Sequence, residues 1–102
     1  MTVFELRDRQ ARGDHPLLLD VRSPDEWAIC RIEGAHLVPL QTLPEHLDQL
    51  DRNAEIVVYC HTGRRSAMAT AFLRREGFAR ADNLAGGIAA WAAEIDPAMP
   101  RY

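Results

Sequence analysis

The chain has 102 residues and a mass of 11.5 kDa, room for one small domain and not for two. Fifteen acidic against twelve basic residues give a formal net charge of -3, which argues against a general nucleic-acid binder, since such proteins need a basic footprint. No apolar run, Ile56 to Cys60 included, approaches the length needed to cross a membrane, so neither nucleic acid nor membrane is expected as a partner.

In chain order, Met1 to Asp8 carries charge where a secretion signal needs an apolar centre, so the chain is expected to be cytoplasmic with reduced thiols. Cys30 and Cys60 are too few for a disulfide framework and form no Cys-x-x-Cys pair. Thr2 with Glu5 reads as a capping box, opening a helix to Arg12 that Gly13 ends. Leu17-Leu18-Leu19-Asp20-Val21 and Ile56-Val57-Val58-Tyr59 are short apolar runs without alternation, the pattern of strands covered on both faces. Between them, Ser23, Pro24 and Glu26 open a second helix, and Leu43 to Leu50, after Pro39, has a third helical pattern. Ser66 to Glu76 is the strongest helix, with a wide apolar face from Ala67 to Leu73, Arg74 and Arg75 in its last turn and Gly77 as its stop. Ala81 to Leu84 suits an edge strand, and Ile88 to Ile95 a final helix behind the Gly86-Gly87 turn. The expected domain spans residues 1–102, with a core over 3–95 and a polar tail over 96–102. Strands alternating with helices at this spacing predict an α/β domain, a small mostly parallel sheet flanked by helices on both faces.

Chemistry concentrates in Cys60-His61-Thr62-Gly63-Arg64-Arg65-Ser66, between the best strand and the best helix. In open α/β sheets ligands bind beyond the C-terminal ends of the strands, where this segment must lie. A tight loop entering a helix turns successive backbone amides inward, and the helix N-terminus adds partial positive charge. Gly63 permits the backbone angles of such a curl, and Arg64 and Arg65 add formal charge. A cysteine held there has its thiolate stabilised, so its pKa is expected well below the ~8.5 of a free thiol. A cysteine ending a buried strand can equally be an inert core residue. The glycine, the arginine pair and a capping Ser66 shift the balance, because a plain strand-to-helix connection needs none of them. Together they describe a nucleophile inside an anion cradle.

This loop resembles the active-site loop of single-domain rhodaneses, the thiosulfate sulfurtransferases, whose pattern is Cys-x-x-Gly-x-Arg-Ser/Thr. Leu19-Asp20-Val21-Arg22-Ser23-Pro24-Asp25-Glu26-Trp27, followed by Arg31-Ile32-Glu33-Gly34-Ala35-His36, is similar to the family's N-terminal signature, and Asn83-Leu84-Ala85-Gly86-Gly87-Ile88-Ala89-Ala90-Trp91 to its C-terminal one. The matches run from Leu19 to Trp91 in the family's order. The tail from Glu94 to Tyr102 further resembles rhodanese domains fused to adenylyl-transferring activators of sulfur carriers. The resemblance implies a rhodanese-like fold and a cofactor-free transferase of sulfur metabolism. Cys60 would attack the sulfane sulfur of thiosulfate or another persulfide donor, forming a persulfide. Cyanide, a thiol or a sulfur-carrier protein would then accept that sulfur. Amides from His61 to Ser66 would cradle the charge, Arg64 would attract the anion if it faces the mouth, and Arg65 would brace the loop or bind the anion.

Asp20 and Arg22 end the first strand on one side of it, which suits a supporting pair better than a catalytic one. His61 is expected to line the entrance; His15, His36 and His46 have no ligand spacing, so no metal is expected. Trp27 and Trp91 read as packing residues. Cys30 stands where the family usually has glycine, so a strained or altered turn is expected there. It reads as a buried small residue or, more sharply, as a thiol resolving an oxidised Cys60. Two other functions compete. A cysteine phosphatase or arsenate reductase also places a Cys–Arg loop before a helix, but such loops resemble Cys-x5-Arg, whereas Cys60 to Arg65 is Cys-x4-Arg and its narrower bowl suits one sulfur better than a phosphoryl group. A non-catalytic rhodanese-like interaction module is the second, although inactive relatives typically lose the cysteine that this chain retains.

Overall fold

The apolar runs at Leu17 and Ile56 become the two central strands of a four-stranded sheet. The computed structural model describes residues 1–102. Its elements are α1 (Val3–Ala11), β1 (Leu17–Asp20), α2 (Pro24–Ile29), β2 (His36–Leu37), a 3-10 helix (Leu40–Gln49), β3 (Ile56–Tyr59), α3 (Arg64–Arg75), β4 (Ala81–Asn83) and α4 (Gly87–Glu94). The strand order is β2-β1-β3-β4 and every pairing is parallel, with Leu17 opposite Ile56 and Asp20 opposite Tyr59. Register puts the C-terminal ends of β1 and β3 side by side, so the segments leaving them share one edge of the sheet.

Alternation along each strand divides the core in two. Leu19 and Val21, with Ile56, Val58 and Cys60, face the side covered by α3 and the 3-10 helix, where Leu43, Leu47, Ala69, Leu73 and Phe78 complete the packing. Leu18, Val57 and Tyr59 face the side covered by α1 and α4, against Val3, Leu6, Leu84, Ile88 and Trp91. Both faces of the sheet are therefore buried, which is why its strands carry apolar residues without a break. No helix is long and apolar enough to cross a membrane.

Helix ends follow local rules. Thr2 accepts the Glu5 amide at 3.1 Å, and Ser23 with Glu26 forms a reciprocal capping box on α2. Four expectations need correction. The third helical stretch starts at Leu40 rather than Leu43, and it is a 3-10 helix in which Pro44 supplies no amide. α3 begins at Arg64, two residues ahead of the predicted start, with Gly63 as its N-cap at φ 108°; Ser66 lies inside the first turn and is not the cap. The apolar face of α3 is narrower than expected, since Met68 is exposed and the buried positions are Ser66, Ala69, Thr70 and Leu73. Cys30 sits in extended backbone at φ -163°, which any residue adopts, so the missing glycine brings no strain.

Candidate active site

β3 delivers Cys60 to the edge of the sheet, and the chain must turn at once to enter α3. Two contacts from α4 shape that turn. The Ile88 amide donates to the Cys60 carbonyl at 2.9 Å, and the Ala89 amide to the His61 carbonyl at 2.9 Å. A trans peptide points its carbonyl and the following amide in opposite directions, so anchoring these carbonyls on α4 aims the amides of His61 and Thr62 away from it. The approach is so close that a Cβ on Gly87 would lie 2.5 Å from the His61 carbonyl oxygen and 2.6 Å from that of Cys60. Gly87 also has φ +60°, so glycine is required there on two grounds. The Asn83 side-chain amide adds a third tether, donating to the Gly63 carbonyl at 3.3 Å.

Inside the turn the Cys60 sulfur is the acceptor. The Gly63 amide donates to Sγ at 3.1 Å and the Ser66 hydroxyl at 3.3 Å. Burial alone would push the thiol up. The Ser66 hydroxyl and the amides of Ser66, Gly63 and Arg65 more than offset it and hold the thiol below its usual value. Ser66, expected as a helix cap, thus serves the sulfur instead, because starting α3 two residues early turns its side chain onto Sγ. Cys60 is nearly fully enclosed, 1% exposed, yet its polar atom meets hydrogen-bond donors rather than hydrocarbon alone.

The two arginines separate. Arg64 is exposed at the first position of α3. Arg65 turns to α2, where its Nη1 and Nη2 donate to the Glu26 carboxylate at 2.6 and 2.9 Å. The Arg65 guanidinium first, then the Tyr102 hydroxyl and the Ser23 amide, hold the Glu26 carboxyl far below the usual range, against burial, which pushes it up. A bidentate arginine–carboxylate pair is geometrically specific as well as strong. It locks the start of α3 to the start of α2.

Asp20 and Arg22 form a fully buried pair, Nη2 to Oδ2 at 2.7 Å, with the Arg22 amide also donating to Asp20 Oδ1 at 2.9 Å. The remaining guanidinium hydrogens reach the Cys30 carbonyl at 2.6 Å, the Glu26 carbonyl at 3.3 Å and the Tyr102 hydroxyl at 2.9 Å. The two residues are thus brought together as a buried pair. A buried charge with all its donors used is tolerable, and removing one partner costs about 3–5 kcal/mol. The half-buried His61 ring stacks on the Tyr102 ring, centroids 4.0 Å apart and planes 15° from parallel.

Sequence reasoning brought together Cys60, Gly63, Arg65 and Ser66, and Asp20 with Arg22. It missed Glu26 and Tyr102 as neighbours of the site. Glu26 was legible only as a capping residue, and nothing in the segment from Asp96 to Tyr102 announces that it folds back onto His61. The Gly86-Gly87 pair reads in the sequence as a turn; two consecutive glycines ahead of a helix are the available sign of a close backbone approach.

The architecture is a parallel α/β sheet with a cysteine at the tip of a central strand, its sulfur enclosed by a loop that runs into a helix and accepting hydrogen bonds from that loop and helix. The chain belongs to the rhodanese-like domain family, whose model matches residues 2–94. It is 43% identical to the probable adenylyltransferase/sulfurtransferase MoeZ of Mycobacterium tuberculosis over 104 aligned residues, a match that covers 100% of this chain and 26% of that protein. The chain thus spans about a quarter of that longer relative. A sulfurtransferase of Allochromatium vinosum is 38% identical over 87 residues, covering 85% of this chain and 81% of that one. Among solved structures, the human single-domain sulfurtransferase TSTD1 superposes with a TM-score of 0.85 at 30% identity, covering 92% of this chain and 95% of its own.

Proposed function

We propose that this chain is a sulfurtransferase that carries sulfane sulfur on Cys60. One observation bears most of the weight: the Cys60 sulfur accepts hydrogen bonds from the Gly63 amide and the Ser66 hydroxyl at the N-terminus of α3. Those donors stabilise a thiolate, and after reaction they can stabilise the charge of a persulfide, as an oxyanion hole stabilises an alkoxide. In the first half-reaction the thiolate attacks the outer sulfur of thiosulfate. A bond forms from Cys60 to that sulfur, the sulfur–sulfur bond of the donor breaks, and its electron pair leaves with sulfite. In the second, a thiol or cyanide attacks the terminal sulfur, and the electron pair returns to Cys60. No cofactor enters either step.

Within this reading the arginines divide the labour. Arg65 is occupied by Glu26 and braces the loop; Arg64, exposed at the first position of α3 and without a carboxylate partner, is the arginine left to attract the dianionic donor. The relatives named as sulfurtransferases support the reaction class. A neighbouring match, 33% identical, is a putative sulfur carrier protein of Bacillus subtilis, which favours a protein thiol or a sulfur carrier as acceptor. The Cys-x4-Arg spacing favours sulfur over phosphate. The decisive assay follows sulfite release from thiosulfate with cyanide as acceptor, beside phosphate release from an aryl phosphate. The expected result is sulfite release with ping-pong kinetics, abolished in Cys60→Ser, and no phosphatase activity. Wild-type rates in Cys60→Ser would remove the nucleophile from the account.

A further inference from the structure

The segment from Asp96 to Tyr102 contains no helix or strand, yet it is tied at several points to the body of the protein. The Met99 amide donates to the Asp96 carbonyl at 3.0 Å, and Arg101 Nη2 donates to the Ala92 carbonyl at 3.1 Å. The strongest ties belong to Tyr102. Its hydroxyl accepts from Arg22 Nη1 at 2.9 Å and donates to Glu26 Oε2 at 2.6 Å. Burial, with the Glu26 carboxylate adding to it, pushes this phenol up to about 12 against the pull of Arg22, so the hydroxyl keeps the proton that it donates. The ring stacks on His61 at 4.0 Å.

These contacts form one continuous chain. Asp20 holds Arg22, Arg22 donates to Tyr102, Tyr102 donates to Glu26, and Glu26 grips Arg65. Arg65 lies in the first turn of α3, next to Ser66, whose hydroxyl donates to the Cys60 sulfur. Packing does not explain such a placement, because Tyr102 is 42% exposed and its hydroxyl could be solvated instead. Both ends of the residue are engaged with groups that flank Cys60: the hydroxyl with the pair bracing α3, and the ring with the residue that follows the cysteine.

We propose that Tyr102 is a positioning residue of the cysteine site, its hydroxyl linking the Asp20–Arg22 pair to the Glu26–Arg65 pair and its ring clamping His61. Its kinetic consequence rests on the sulfur-transfer reading; its geometric consequence does not. With Tyr102 gone, His61 loses its clamp and Glu26 a donor. The loop then aims the Gly63 amide at the sulfur for less of the time, and the thiolate is less stabilised. The charged and titratable groups around the loop are Arg64 and Arg65 of α3, Glu26 of α2, Asp20 at the end of β1 with Arg22 just beyond it, and His61.

The test uses the full chain with Tyr102→Phe, which keeps the stack and loses the hydroxyl, and Tyr102→Ala, which loses both. Iodoacetamide alkylation is followed against pH, with peptide masses counting Cys60 and Cys30 separately, and sulfite release from thiosulfate is resolved into kcat and KM. The alkylation midpoint of Cys60 is expected to rise by about half a pH unit or more in Tyr102→Ala and by less in Tyr102→Phe. kcat/KM falls on the order of tenfold in the alanine variant, with partial rescue by phenylalanine. Thermal denaturation confirms that both variants fold, as a partly exposed side chain allows. Wild-type midpoints and wild-type kinetics in both variants would overturn the proposal. If wild-type protein released no sulfite while the midpoint still moved, the sulfur-transfer reading would fall and the positioning role of Tyr102 would stand.

Discussion

Glu26 takes both ends of the Arg65 guanidinium, at 2.6 and 2.9 Å, although 39 positions of sequence separate the two residues. Seen from the sequence alone, Arg64 and Arg65 are equivalent charges beside a nucleophile. The carboxylate breaks that equivalence. It pairs with Arg65 and leaves Arg64 exposed, so in the proposed function Arg65 is the brace and Arg64 the arginine that meets an incoming anion.

Replacement of the two arginines by alanine should therefore have different signatures. Arg65→Ala leaves a half-buried carboxylate without its cation and should cost about 1 kcal/mol. In a domain of this size that lowers the melting temperature by roughly 4–8 °C. Arg64→Ala should leave the melting temperature near that of the wild type and raise the KM for thiosulfate several-fold, an effect that shrinks as salt is added. Differential scanning calorimetry and steady-state kinetics on the same samples separate the two. Interchangeable behaviour of the variants would contradict the division of roles.

The depressed Glu26 carboxyl also makes stability depend on pH in a definite direction. Because the folded value lies below the unfolded one, near ~4.3, the unfolded chain takes up the proton first as the solution is acidified. The stabilisation is complete above the unfolded value and is lost as pH falls through the folded one. Glu26→Gln should cost about 1–2 kcal/mol at pH 7. The gap from wild type, measured by denaturant titration at a series of pH values, should narrow steadily below about pH 5. A gap that widened on acidification would show that the carboxylate is not held by Arg65 and Tyr102.

Gly87 offers a test that leaves every functional group in place. An added Cβ would meet two backbone oxygens at 2.5 and 2.6 Å, and backbone cannot rotate aside as a side chain can. The positive φ adds conformational strain of about 1–3 kcal/mol. Gly87→Ala is accordingly expected to lower stability by at least that amount and to impair the Cys60 loop, raising the pH at which the thiol becomes reactive. Normal stability together with normal thiol reactivity would mean that α4 does not hold the loop as the close approach indicates.

Much of this architecture can be read along the chain because its signals are local. The unbroken apolar runs at Leu17 and Ile56 mark doubly covered strands, and Ser23, Pro24 and Glu26 mark the start of α2 through groups three residues apart. The cysteine loop is legible for the same reason, all of its parts lying between Cys60 and Ser66. Long-range relationships left no such trace. Glu26 looks like a capping residue because its capping partner is adjacent, while its second partner, Arg65, lies across the sheet edge. Tyr102 sits in a segment without periodicity, and its contacts depend on where three other elements end. The strand at His36–Leu37 is only two residues long and defined by pairing with β1, so neither length nor alternation could announce it. Ser66 was placed wrongly by a rule of local chemistry: serine is a common N-cap, but Gly63 with positive φ can begin a helix earlier and release that side chain for the sulfur.

Intact-mass analysis of the full chain after incubation with thiosulfate measures the central step directly. The thiolate of Cys60 should gain one sulfur, an increase of ~32 Da that a thiol reductant reverses. Peptide mapping should place it on Cys60 and not on Cys30, and Cys60→Ser should show no gain. An unchanged mass in wild-type protein whose Cys60 is reduced and alkylatable, or a reversible adduct that persists in Cys60→Ser, would contradict the account.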